Sequence, residues 1–175
     1  MVIRAYYHRQ AIKYGGKQNF KENRLVRLII AVPFVYFLVR YMANPEFLSW
    51  ADLEISDWLQ WLGLILGIIT IPLSVWIHIH LGKNFSSCLH VREGHYLVTT
   101  GPYKWVRHPM YTVLLMNFLA ILLLTKNWLI GGVPILILCL VVAGRLKHEE
   151  KLMQDTFGEE YNRYKLSTGK FLPKL

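Results

Sequence analysis

Residues 58–81 read WLQWLGLILGIITIPLSVWIHIHL, a run of 24 residues without Asp, Glu, Lys or Arg. An α-helix rises about 1.5 Å per residue, so about 20 apolar residues suffice to cross the roughly 30 Å hydrocarbon core of a bilayer. This stretch is long enough by itself. It also carries tryptophans near its ends, which is typical of a helix that meets a membrane interface. The run therefore predicts a transmembrane helix.

Three further apolar stretches accompany this one, at residues 25–42, 111–125 and 128–144. The first is just long enough to span, and the last two form, with their flanking residues, a helical hairpin closed at Lys126 and Asn127. Pro33, Pro72 and Pro134 fall inside three of the four stretches, where a helix bundle tolerates kinks. We therefore expect an all-α integral membrane protein with four transmembrane helices, or five if the second or third stretch is broken and re-entrant.

The overall composition agrees with a membrane protein. The 175 residues are 54% hydrophobic and 18% charged, whereas about a quarter of the residues are charged in an average soluble domain. The mean hydropathy is +0.29, yet 20 Lys and Arg against 11 Asp and Glu leave a net charge of +9. These values argue against a soluble globule, a disordered chain and a disulfide scaffold. A membrane protein with basic faces and a basic nucleic-acid binder remain.

The location of the basic residues separates these two classes. Residues 1–24 and 82–107 and the tail from Arg145 onward are rich in Lys and Arg. The 43–57 connection has four carboxylates and no Lys or Arg, and the last connection has only Lys126. Since basic loops stay cytoplasmic, this pattern predicts that both termini are cytoplasmic. The protein is then multi-pass, in the plasma membrane if prokaryotic or the endoplasmic reticulum if eukaryotic, and we expect no nucleic-acid partner.

The sequence gives little indication of a metal site or a disulfide bond. Cys88 and Cys139 have neither CxxC nor Cys/His spacing, and His78 and His80 lack a third histidine or a carboxylate nearby in the sequence. We therefore expect no metal site. The first 24 residues lack the apolar core of a cleavable signal peptide. Residues 1–175 are expected to form a single domain, with N-terminal spans in residues 1–81 and the catalytic half in residues 82–175.

Two polar sets frame the predicted hairpin. Arg107 and His108 precede the third span, while Arg145 and Glu149 follow the fourth span at a spacing that places them on one helical face. Each residue alone has a simpler interpretation as an interface anchor, a helix cap or an exposed ion pair. Because the hairpin returns both sets to the same cytoplasmic interface, their combination predicts a membrane-level pocket that contains cations, carboxylates, a histidine and aromatic rings.

The order of these motifs resembles a known family. The run HYLVTTGPYKWVRHPMY, then the hairpin, then RLKHEEKLMQDTFGEEYNRY, is similar to the isoprenylcysteine carboxyl methyltransferases. The resemblance covers roughly residues 80–173, and it extends to a wider group of membrane methyltransferases that includes phospholipid N-methyltransferases. It implies an enzyme that uses S-adenosyl-L-methionine without a soluble Rossmann domain. In agreement, the chain lacks a strand–GxGxxG–helix unit.

The resemblance also implies roles for individual residues. Arg145 would be a catalytic residue that binds the substrate carboxylate, and Arg107 a catalytic residue that supports the reacting centre. The implied cofactor contacts are His95, Tyr96, Leu97, Val98, Tyr103, His108, Pro109, Met110, Tyr111 and Glu149. The implied partners are a prenylated carboxylate substrate and membrane lipids.

The chemistry of methyl transfer fits these residue types. A carboxylate nucleophile is ionised at pH 7 and needs no general base, but it needs a cation to orient it, and the fork of Arg145 suits that task. An amine nucleophile would instead need Glu149, Glu150 or His108 as a base. We expect methyl esterification of a C-terminal prenylcysteine. The alternatives are N-methylation of a phospholipid or another lipophilic amine, and a membrane protein without enzymatic activity.

Overall fold

The computed structural model describes residues 21–81 and 96–174, and these residues form helices joined by short turns. Helix α1 spans Lys21–Ala43, α2 spans Trp58–Leu81, α3 spans Pro109–Thr125 and α4 spans Val133–Ser167. Short 3-10 helices cover Pro45–Ala51 and Gly101–Lys104, and a π-helical turn covers Trp128–Gly132. The four apolar stretches are therefore helical, as predicted.

Two of the helices in the described part of the chain have the length and apolar composition to cross a membrane. They are Trp58–Leu81 and the helix that extends through Trp128–Ser167, while Ala31–Ala43 and Pro109–Thr125 are apolar but shorter. Most of the apolar side chains on α2 are not buried: Trp61, Ile68 and Ile71 are each about 60–70% exposed. A core helix of a soluble protein would bury such residues.

Helix α4 differs in detail from what the fourth apolar stretch predicted. The segment from Arg145 onward is not a separate helix but continues α4 directly from the apolar stretch. The backbone at Gly158 is non-helical, with φ 51° and ψ −122°, but helical residues resume beyond it and continue to Ser167. Pro134 is the second residue of α4 and directly follows the π-helical turn and Val133.

The described residues fall into two compact units. The first contains residues 70–81, 96–114 and 140–174, and all the side-chain contacts of the candidate site lie within it. The second contains residues 21–69 and 115–139. Each unit therefore takes parts of α2, α3 and α4.

The second unit is organised around the turn at Lys126 and Asn127, where the hairpin closure predicted from sequence is confirmed. Asn127 is fully buried, and its side-chain amide donates hydrogen bonds to the Leu48 carbonyl (2.9 Å) and to Asp52 Oδ1 (2.8 Å). Its Oδ1 accepts from the backbone N–H groups that begin the π-helical turn. Lys126 has a left-handed φ of 51° and forms an ion pair with Asp57. These contacts join the acidic 43–57 connection to the turn.

Gly131 allows α3 and the π-helical turn to approach closely. A Cβ at Gly131 would lie 2.3 Å from the Leu122 Cα, whereas a Cβ at the adjacent Gly132 would lie 3.5 Å from the nearest atom, the Trp128 Cβ. We expect Gly131→Ala to lower the free energy of unfolding by about 1–3 kcal/mol, because the helix backbone must move apart. Thermal unfolding of the detergent-solubilised protein measures this effect. Gly132→Ala is the matched control, and equal melting temperatures for the two variants would contradict the prediction.

Candidate active site

The entrance to α3 is shaped by the short 3-10 helix at Gly101–Lys104. Gly101 has a left-handed φ of 58°, and a Cβ there would lie 2.3 Å from the His80 ring, so glycine is required at this position. Pro102 is the second residue of the 3-10 helix, where its fixed φ suits the first turn. The Tyr103 carbonyl then accepts a 2.6 Å hydrogen bond from the Tyr164 hydroxyl. This bond fixes the chain just before Arg107.

The apolar members of the predicted cofactor set lie in a small hydrophobic core. Val98 and Tyr103 are buried with Ile77 and Val113, and Met110 packs against this group. Burial raises the pKa of the Tyr103 phenol above its ordinary range, so it stays protonated. The side chains of Val98 and Tyr103 are therefore part of the core that packs beside α3.

Glu149 is the centre of the first polar group. Its Oε1 accepts a 2.7 Å hydrogen bond from the Tyr111 hydroxyl and forms a 3.2 Å ion pair with Arg145 Nη2. The second oxygen, Oε2, lies 4.0 Å from His108 Nδ1. The i,i+4 pairing of Arg145 and Glu149 predicted from sequence is thus present, and it is joined by Tyr111 and His108 from the start of α3.

Glu150 is the centre of the second polar group, next to the first. Its Oε1 lies 3.3 Å from Arg107 Nη2 and 3.6 Å from His108 Nε2, and its Oε2 lies 3.5 Å from Lys170 Nζ. Consecutive carboxylates therefore lie on the two sides of one imidazole, at distances longer than hydrogen bonds. This arrangement follows from the local sequence, since His108 opens α3 and the Glu149–Glu150 pair lies on α4.

The charge of the combined cluster is positive at neutral pH. Burial lowers the pKa of His108 below its ordinary value despite the opposing effect of the Glu149 and Glu150 carboxylates, so the imidazole is neutral at pH 7. Three cations, Arg107, Arg145 and Lys170, then face two carboxylates, which leaves one positive charge. Such a cluster attracts an anion more strongly than a cation.

The two arginines differ in the donors that they have left. Arg107 has a side chain only 10% exposed, and it donates to the carbonyls of Lys165 and Thr168 as well as to Glu150. Arg145 is 37% exposed and pairs with Glu149 through Nη2. The buried Nε of each arginine has no hydrogen-bond partner among residues 21–81 and 96–174. Since both Nη atoms of Arg107 are already bonded, Arg145 retains more donors for a ligand.

The remaining residues that were predicted to contact the cofactor differ in how far they are buried. Pro109 is buried as the first residue of α3, where its ring is well tolerated. Tyr96 is 64% exposed, and Leu97 is half-buried. His95 lies outside the described residues. No group of three or more His, Cys, Asp or Glu with metal-binding geometry occurs in the part of the chain that the structure describes.

Several residues of this site were not selected from sequence. Lys170 and Phe171 reach the site from the end of the chain, and Thr112 joins them from α3: Phe171 lies 6.2 Å from the His108 ring, and Thr112 donates a 2.7 Å hydrogen bond to the Phe171 carbonyl. Glu150 was considered only as a base for amine methylation. The segment Thr168–Phe171 has no hydrophobic periodicity that would mark it in the sequence. It is identified as part of the site only because the fold brings it close to His108 and Glu150.

Comparison with known proteins gives a consistent result. The sequence model of the isoprenylcysteine carboxyl methyltransferase family matches residues 61–155, which is more than half of the chain. An uncharacterised protein of Bacillus subtilis is 26% identical over 147 residues, with 83% of both chains covered. The protein-S-isoprenylcysteine O-methyltransferase of Rattus norvegicus is 30% identical over 130 residues, which is 73% of this chain and 46% of the rat protein. The chain thus spans about half the length of that relative.

The fold is also similar to a solved structure. The eukaryotic intramembrane Ras methyltransferase, an isoprenylcysteine carboxyl methyltransferase, aligns with a TM-score of 0.67 at 23% sequence identity. The alignment covers 95% of this chain and 60% of the solved one. Nearly all of the chain therefore has a counterpart in that helical fold.

Proposed function

The chain belongs to the isoprenylcysteine carboxyl methyltransferase family, and from this premise we propose that it methylates the carboxylate of a lipophilic substrate, specifically a C-terminal prenylcysteine. S-adenosyl-L-methionine is the proposed methyl donor. The observation that carries the proposal is the cluster of three cations around two carboxylates, in which Arg145 keeps unused donors. A carboxylate acceptor can pair directly with the unused donors of Arg145, whereas an ammonium group offers them no acceptor atom and would have to lose a proton before methylation.

The residues present fit the proposed cofactor. S-adenosyl-L-methionine supplies a methyl group on a sulfonium cation when it is bound. Glu149 Oε2 is available to accept hydrogen bonds from ribose hydroxyls or the ammonium group, because Tyr111 and Arg145 both contact Oε1. The aromatic faces of Tyr96 and Tyr111 suit adenine stacking or a cation, and the backbone of Leu97 and Val98 suits the base edge. His95 belongs to the same proposed set.

The chain's own groups have distinct tasks in the proposed reaction. Arg145 holds the acceptor carboxylate and turns one oxygen toward the methyl carbon, which supplies much of the rate acceleration through orientation. The acceptor oxygen is already ionised at pH 7, so no residue needs to remove a proton. Arg107 donates to the Lys165 carbonyl and to the Glu150 carboxylate, both on α4. It thereby keeps Glu150 beside the neutral His108 ring.

The membrane arrangement is part of the same proposal. Four spans would place both termini and the site on the cytoplasmic side, and the prenyl chain of the substrate would enter laterally from the lipid. The exposed apolar side chains of α2 support a lipid-facing helix, and the basic residues of the tail support cytoplasmic placement. Membrane lipids and a prenylated protein are then the partners.

The purified full-length protein in detergent, mixed with radiolabelled S-adenosyl-L-methionine and N-acetyl-farnesylcysteine, is expected to yield a labelled methyl ester. Such an ester is recognised because mild base releases its label. The amide of the same compound is the matched control, since it keeps the prenyl chain but has no carboxylate, and it should stay unlabelled. Base-stable label in an amine acceptor would favour N-methylation instead. Failure to bind the cofactor saturably would favour a membrane protein without enzymatic activity.

A further inference from the structure

The last residues of the described chain fold back onto the residues that begin α3. We name Thr168–Phe171 the tail strap. The Gly169 amide donates to the Trp105 carbonyl (3.1 Å), and the Gly169 and Lys170 carbonyls accept from the amides of Arg107 (2.9 Å) and His108 (3.1 Å). Because Arg107 and His108 come just before the first turn of a helix, their amides have no intrahelical partner, and the tail strap supplies one for each.

The side chains of the same residues are held by the tail strap as well. The Arg107 guanidinium donates to the Thr168 carbonyl, and the His108 ring lies 6.2 Å from that of Phe171. Lys170 Nζ lies 3.5 Å from Glu150 Oε2, and the other oxygen of Glu150 contacts both Arg107 and His108. The strap and the strap-paired Glu150 therefore supply most of the polar contacts of this pair, and the Lys165 carbonyl and Glu149 on α4 supply the others.

The strap itself is tightly folded and anchored. A Cβ at Gly169 would lie 1.7 Å from the Leu172 carbonyl oxygen, so the turn requires glycine. At its far end, the Thr112 hydroxyl donates a 2.7 Å hydrogen bond to the Phe171 carbonyl. Thr112 lies one helical turn beyond His108 on α3. It is not among the residues proposed to contact the cofactor or the acceptor carboxylate.

We propose that the tail strap positions Arg107 and His108 for cofactor binding, with Thr112 as the residue that fastens the strap and Lys170 as the residue that holds Glu150. This inference rests on the proposed function, because the affinity that it concerns is that for S-adenosyl-L-methionine. Thr112 and Lys170 act through other residues and are positioning residues. Loss of the Thr112 hydroxyl should loosen the strap and weaken cofactor binding without removing any proposed cofactor contact.

Labelled-cofactor binding to the full-length protein in detergent tests this proposal. We expect Thr112→Val to raise the cofactor Kd at least about five-fold, whereas Thr112→Ser, which keeps the hydroxyl, should stay within about two-fold of the wild type. Thr156→Val is the matched control, because its hydroxyl bonds the Leu152 carbonyl (2.8 Å) on an exposed face of α4. Amide hydrogen exchange at residues 105–112 should quicken in Thr112→Val and remain unchanged in Thr156→Val.

The outcomes separate this inference from the function on which it rests. A wild-type protein that binds no S-adenosyl-L-methionine overturns the proposed function and the inference together. Wild-type binding with an unchanged Kd in Thr112→Val overturns the inference alone, even if the melting temperature falls, because a purely structural role predicts that result. If Thr112→Val does not fold, Lys170→Met decides in its place: a weakened affinity that Lys170→Arg restores supports the proposal, and an unchanged affinity overturns it.

Discussion

Replacement of Glu149 by alanine is expected to abolish S-adenosyl-L-methionine binding measurable by titration calorimetry, with a loss of about 100-fold or more. One Glu149 oxygen is occupied by Tyr111 (2.7 Å) and Arg145 (3.2 Å), which fixes the carboxylate and leaves the other oxygen for the cofactor. Hydrogen bonds to a charged group contribute about 1.5–3 kcal/mol each, and two of them account for a loss of this size. The substitution also leaves Arg145 and the neighbouring cations uncompensated where a sulfonium cation must bind.

Two variants show whether the effect belongs to this carboxylate. Tyr111→Phe keeps the carboxylate but removes the hydroxyl that orients it, so we expect a smaller loss, about ten-fold or less. Glu160→Ala removes a carboxylate from an exposed position of α4 and should bind the cofactor as the wild type does. A Glu149→Ala protein that is folded and binds within ten-fold of the wild type would contradict the assignment of Glu149 to the cofactor.

The parts of the fold that follow from local rules could be predicted from the sequence. The uncharged run at residues 58–81 is one helix with the predicted bounds, because its length and apolar composition favour a helix in spite of Pro72. The hairpin turn at Lys126 and Asn127 is in place, since a lone polar pair between apolar runs has few other solutions. The continuation of α4 past Gly144 into the polar segment was missed, because the change of composition suggested a boundary that the backbone does not have.

The candidate site, too, could be predicted from the sequence only in part. Arg145 and Glu149 lie on one helical face by spacing alone, and the structure places them 3.2 Å apart. The boundary of the apolar stretch at residues 111–125 also placed Arg107 and His108 just before α3. The contribution of Lys170 and Phe171 depends on how the chain returns after the break at Gly158, and no periodicity encodes that path. The role of each site residue in binding remains a prediction.

Replacement of Arg145 by alanine is expected to lower turnover by about 10- to 100-fold while the cofactor affinity stays within about three-fold of the wild type. Arg145 is the more exposed of the two arginines and pairs with a single partner, so its remaining donors are the ones proposed for the acceptor carboxylate. Losing a charge-assisted bond to the acceptor removes about 1.5–3 kcal/mol from the positioned complex. Tyr111 still orients Glu149 in this variant, which is why cofactor binding should persist.

The geometry of the guanidinium provides the decisive comparison for this arginine. Arg145→Lys keeps the positive charge but loses the planar fork, so it should recover the acceptor KM better than the turnover if Arg145 orients the carboxylate rather than only attracting it. Lys147→Ala, at an exposed position two residues further along α4, controls for loss of one positive charge. Steady-state esterification of N-acetyl-farnesylcysteine measures all three variants. Full activity in both Arg145→Ala and Glu149→Ala would refute the site, because the ion pair between the proposed acceptor-binding and cofactor-binding groups would then be dispensable.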